Sequence, residues 1–167
     1  MSNKPSIIVI GCGNPLRGDD GVGWYAVDQL SESYTDGKIE FVKCRELTPE
    51  FSEKFLGIKY ALFVDASLSR KRDLGEAERG VVSEESVVPE GNFPSLESHQ
   101  LGPAGLLAFS GALYGNIPKA VMLSVKGESF GYGEDISGDV RRAVRLLLAR
   151  ACEILNKWMK ELQIEVS

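Results

Sequence analysis

The chain predicts an α/β fold with a mostly parallel sheet covered on both faces, and three observations carry that reading. Short β-branched apolar runs alternate with stretches of helical periodicity. Two of the runs, 7–10 and 60–64, are continuously apolar rather than alternating, as in strands buried on both faces. A long amphipathic segment closes the sequence.

The elements follow in order. Residues 6–12 read as a buried strand, since Ile7, Ile8, Val9 and Ile10 are consecutive. A helix is expected over 20–32, with Val22, Ala26, Val27 and Leu30 on one face and Asp19 or Asp20 as its cap. Residues 39–44 form a second strand. Thr48 opens a short helical stretch carrying Phe51, Phe55 and Leu56. Residues 60–65 are a buried strand ending on Asp65, followed by a polar loop over 66–77. A short edge strand fits 80–83. The Pro, Gly and Ser-rich stretch 89–101 contains His99, and Pro103 then opens a helix to about Leu113. A further strand is expected over 120–125 and a Gly-rich loop over 126–136. Ser137 caps the last helix, whose stripe runs Val140, Ala143, Val144, Leu147, Leu148, Ala151, Leu155, Met159 and Leu162.

A length of 167 residues, with 43% hydrophobic and 26% charged content, suits one globular domain spanning 1–167. There is no repeat and no low-complexity linker. A net charge of −5 argues against general nucleic-acid binding. No apolar run reaches membrane-spanning length, and the N-terminus reads without a secretory signal. Cys12, Cys44 and Cys152 form no Cys-x-x-Cys pair, so a zinc ribbon or thioredoxin-like motif is excluded and a reducing, cytoplasmic location is expected.

The chemistry concentrates in 11–23. Between a strand and a helix, a glycine turn delivers two adjacent carboxylates, Asp19 and Asp20. Gly11-Cys12-Gly13 resembles the start of a dinucleotide turn, but Leu16 stands at the third glycine position and Pro15 interrupts. Two acids at a helix N-terminus would also repel a pyrophosphate. No Gly-Lys-Ser/Thr follows, so a P-loop is absent. In an open parallel sheet, ligands bind beyond the carboxyl ends of the strands. Asp20, Asp65 and His99, the only histidine, can all reach that rim. Two carboxylates and an imidazole suit a borderline cation and leave a coordination position for substrate. Taken singly, each has a plainer role as a cap or surface residue. Cys12 is a soft ligand, a nucleophile or simply a small buried residue. A hydrolytic triad would have to recruit His99, with Asp65 orienting it and Ser98 or Cys12 attacking. Arg70, Lys71 and Arg72 form a solvated loop or a patch for a carboxylate.

These motifs resemble the hydrogenase maturation proteases, the endopeptidases that trim the C-terminal extension of nickel-iron hydrogenase large subunits. Gly11-x-Gly13-Asn14-x-Leu16-x-Gly18-Asp19-Asp20-Gly21-x-Gly23 is similar to the family's N-terminal signature. Asp65-Ala66 matches its second acidic position, and Ser98-His99-Gln100-Leu101-Gly102 its histidine motif. Glu128-Ser129-Phe130, Gly133-Glu134 and Ile136-Ser137 resemble the loop before its last helix. The resemblance implies a three-layer α/β/α sandwich of the phosphorylase/hydrolase-like kind. It implies Asp20, Asp65 and His99 as the catalytic, metal-contacting residues, with Asp20 where some members carry Glu. It also implies nickel supplied by the precursor, with a surrogate divalent metal able to occupy the free protein, and the precursor as partner. A Pro-Gly pair common after the second acid is replaced here by the longer, more charged loop 67–80, so the family's substrate contacts in this region are not carried over to this chain. The competing classes are another hydrolase on the same fold and a non-catalytic chaperone for nickel or precursor.

Overall fold

A computed structural model describes residues 4–68, 82–90, 101–127, 131–133 and 135–166. Among them, five strands form one sheet: β1 (Ile7–Cys12), β2 (Ile39–Cys44), β3 (Tyr60–Leu68), β4 (Val82–Val87) and β5 (Lys119–Gly127). Their order is β2-β1-β3-β5-β4. All neighbours are parallel except the β4–β5 pair at one edge.

The sheet separates two apolar layers, because alternate residues of each strand face opposite sides. On one side, Ile7, Val9, Leu62, Val64, Leu123 and Val125 pack with helices α1 (Val22–Ser33) and α3 (Gly138–Val166). On the other, Ile8, Ile10, Ala61 and Phe63 pack with helix α2 (Pro103–Tyr114) and the 3-10 helix Pro49–Phe55. Burial on both sides is why β1 and the first half of β3 are unbroken apolar runs. No helix among the described residues is long and apolar enough to cross a membrane.

The structure corrects several boundaries. Helix α1 begins at Val22, not 20, because Gly18–Gly21 forms a separate 3-10 turn. Neither Asp19 nor Asp20 caps α1; its N-cap is Gly21, with no side-chain cap bond. Strand β3 does not end on Asp65 but runs to Leu68, since Ala66, Ser67 and Leu68 pair with Val125, Lys126 and Gly127. Ladder pairing holds these residues extended although they are more polar than those before them. The edge strand runs past Ser83 to Val87. Most of the charged loop 67–80, including Arg70, Lys71 and Arg72, lies outside the described residues.

The chain leaves β1 for β2 on one side and returns to β3 on the other. The point where strand order reverses therefore lies between the carboxyl ends of β1 and β3, the crevice where open α/β sheets bind ligands.

Candidate functional site

The glycine loop starts at Gly13, whose φ of 129° is open to glycine and strained for other residues. A Cβ there would stand 2.1 Å from the backbone oxygen of Asp20. This close approach folds the loop back on itself. Gly13 N–H donates to the Cys44 carbonyl at 3.0 Å, and the Trp24 indole N–H donates to the same oxygen at 2.9 Å. The loop is thus fastened to the end of β2.

The two adjacent acids have different partners. Asp19 is fully buried and accepts from Ser137 N–H at 2.7 Å and Ser137 Oγ–H at 3.0 Å, tying the loop to the start of α3. Asp20 is half-buried and accepts from Asn14 N–H at 2.8 Å. Consecutive residues of a 3-10 turn point about 120° apart. One carboxylate therefore faces into the protein while its neighbour reaches a cavity.

Asp65 reaches that cavity from the sheet. Cys12 pairs with Cys44, Asp65 pairs with Ser124, and Gly11 aligns with Val64 one step earlier. Cys44, Cys12, Asp65 and Ser124 therefore form the last row across the sheet's α2 side, one period beyond the apolar row of Val42, Ile10, Phe63 and Met122. Burial, and secondarily the negative charge of Asp20, pushes the Asp65 carboxyl up to about 7, against the pull of a hydrogen bond from the Ala66 backbone. The cavity occupies about 420 Å³ between this row and the glycine loop.

Arg17 and Arg45 also line the cavity, and sequence reading passed over both. Arg45 had a usable signal, since it directly follows the carboxyl end of β2. Arg17 stacks over the Tyr132 ring at 5.2 Å. His99, Ser98 and Glu128 to Phe130 lie outside the described residues; Leu101 and Gly102, just after His99 in the chain, line the cavity. Among the described residues, no three His, Cys, Asp or Glu side chains form a metal-holding group. The oxygen donors that the described residues bring to the cavity for a cation are the carboxylates of Asp20, Asp65 and Glu46, with Cys12 beside them. Cys12 makes a poor nucleophile, because its hydrogen bond to Cys44, its burial and the nearby carboxylates hold its thiol protonated.

The fold matches solved structures. A nickel-iron hydrogenase maturation protease HycI from Thermococcus kodakarensis superposes with a TM-score of 0.68 at 23% identity, covering 93% of this chain and 95% of that one. The hydrogenase maturating endopeptidase HybD of Escherichia coli also gives 0.68, at 20% identity, covering 90% and 92%.

The chain has the fold of the hydrogenase maturation proteases.

A Methanocaldococcus jannaschii protein provisionally named a hydrogenase maturation protease is 31% identical over 111 residues, which is 60% of this chain and 61% of that protein. The chain thus spans less than two thirds of the curated relative it matches. No protein-family model matches it. The hydrogenase maturation protease fold agrees with the α/β/α architecture expected from the sequence.

Proposed function

We propose that this protein is a hydrogenase maturation endopeptidase that removes the C-terminal extension of a nickel-iron hydrogenase large-subunit precursor after nickel insertion. The observation that carries the reading is the meeting of Asp20 and Asp65, from a loop and a strand, at an open cavity on the switch point of this fold. Support comes from the names borne by the proteins of like fold and by the curated relative.

In this reading the nickel belongs to the substrate. Asp20 and Asp65 offer carboxylate oxygens to it, and His99 offers the third donor. A site of few donors holds metal weakly alone and gains affinity when the precursor adds its own ligands. Recognition of nickel then places the scissile peptide in the cavity, so that cleavage awaits metal loading. Water adds to the peptide carbonyl, and a carboxylate of Asp20 or Asp65 takes its proton and returns it to the leaving amine. The cytoplasm is the expected compartment, since Cys12, Cys44 and Cys152 are all free thiols.

Mass spectrometry of a large-subunit precursor, with and without nickel, tests the reading. Loss of a C-terminal peptide only from the nickel-loaded form is expected, and Asp20→Asn or His99→Ala should abolish that loss while the fold persists. An unchanged mass in both forms of a precursor that cell extract can process overturns it. A stable complex formed without cleavage would instead indicate a chaperone.

A further inference from the structure

The last row of the sheet contains a pair that the proposed reaction does not use. Cys12 and Cys44 are direct register partners on adjacent parallel strands, both buried, with Sγ atoms 3.6 Å apart. Neighbouring strands run about 4.7–4.9 Å apart, within the Cα span that a disulfide bridges. Bond formation at about 2.05 Å needs a contraction of about 1.5 Å. That shift needs only rotation of the two side chains about their Cα–Cβ bonds, because the strand spacing already suits a bridge. Cys12 lines the cavity, which provides a path for a small reagent. Cys152 lies on α3, across the sheet.

We propose that Cys12 and Cys44 are a reversible redox pair: exchange with a small-molecule disulfide closes them into a cross-strand disulfide and reshapes the acidic cavity. Cys44, to which the Cys12 thiol is hydrogen-bonded, attacks the reagent RSSR, forming a mixed disulfide and releasing RSH. The second cysteine then displaces the other RSH. In sum, two cysteine thiols and RSSR become one protein disulfide and two RSH; the cysteines are oxidised, the reagent is reduced, and both protons leave on RSH. A bond at the wall of a cavity is open to attack by small thiols, so the same exchange reverses it. The bridge would adjoin the site directly, taking the Cys12 side chain out of its place in the cavity wall. The Cys44 carbonyl holds both Gly13 N–H and Trp24 Nε1–H, and Gly13 opens the loop that carries Asp20. This inference stands independently of the proteolytic reading.

The test uses the full chain, equilibrated at graded ratios of reduced to oxidised glutathione, then denatured, alkylated and weighed intact. Fully reduced protein takes up three alkyl groups, one for each of its 3 cysteines. Under oxidation a single group is expected, on Cys152, with all three recovered after dithiothreitol. Cys12→Ser and Cys44→Ser should form no internal disulfide, whereas Cys152→Ser should still form it. Three alkyl groups at every ratio, a link through Cys152, or only glutathione adducts would overturn the proposal, and the wild-type titration requires no variant to fold. Reshaping is read separately from the indole N–H signals of the 2 tryptophans. Oxidation should move the Trp24 signal and leave that of Trp158; a stationary Trp24 signal overturns the coupling to the site.

Discussion

Asp19 and Asp20 are chemically identical neighbours with separate work, and stability measurements should divide them. Asp19 is buried against Ser137 through two hydrogen bonds. Hydrogen bonds to a charged group contribute about 1.5–3 kcal/mol, so Asp19→Ala should cost about 2 kcal/mol and lower the melting temperature by roughly 5 °C. Asp20→Asn should leave the melting temperature within about a degree. Equal destabilisation by both substitutions would refute the division. The resemblance singled out Asp20, but the buried role of Asp19 was not legible in the sequence, because its partner Ser137 lies 118 positions away. Asp65 behaves differently again. Its carboxyl titrates near 7 when folded and near 3.8 as an ordinary aspartate, so folding takes up a proton between those values. Stability from this group is therefore lost as pH rises from about 4 to about 7, by at most ~4 kcal/mol. Asp65→Asn should unfold at higher denaturant than wild type at pH 8 and at nearly equal denaturant at pH 4. A variant weaker than wild type at pH 8 would contradict the burial argument.

Among the elements, α1 decides how closely the loop approaches the sheet. Gly23 sits in its first turn, where an added Cβ would lie 2.5 Å from the Cys12 carbonyl oxygen and 2.6 Å from that of Val64. Both are backbone atoms and cannot step aside. In an ordinary helix interior, Gly→Ala gains about 1 kcal/mol. Here the sign reverses, and Gly23→Ala should cost about 1–3 kcal/mol or more. Guanidinium unfolding checks this, and a more stable variant would show that α1 can withdraw. Sequence periodicity located α1, α2, α3, all of β1 and the buried first half of β3, because those patterns record burial directly. It stopped β3 three residues early. The pairing of Ala66, Ser67 and Leu68 with β5 leaves no mark in their local composition. It also read Asp19 or Asp20 as a helix cap, whereas both lie inside the 3-10 turn Gly18–Gly21, which opens on Gly18 at φ 55°.

At the scale of the whole molecule, the two faces of the sheet have unequal tasks. The side covered by α1 and α3 is apolar to the top of β3, through Val64 and Ala66. The side covered by α2 changes from apolar to polar at its last row, and the cavity opens there. The strand order made the switch point legible, since acids after the first and third apolar runs had to meet near it. Arg17 was not legible as a cavity residue, because an exposed arginine in a glycine-rich loop is ordinary in sequence and gains meaning only from what it surrounds; Arg45 was marked only by its place after β2. The placement of Asp65 within a strand, rather than after one, also sets where this protein can change length. A residue inserted between Tyr60 and Asp65 would send the carboxylate to the opposite face, into the layer of Val125 and Val140. Beyond Leu68 the same insertion would pass without turning any site residue over. Lineages descended from such a chain are thus free to lengthen or rewrite the segment after β3, while the spacing before Asp65 stays fixed by the pleat.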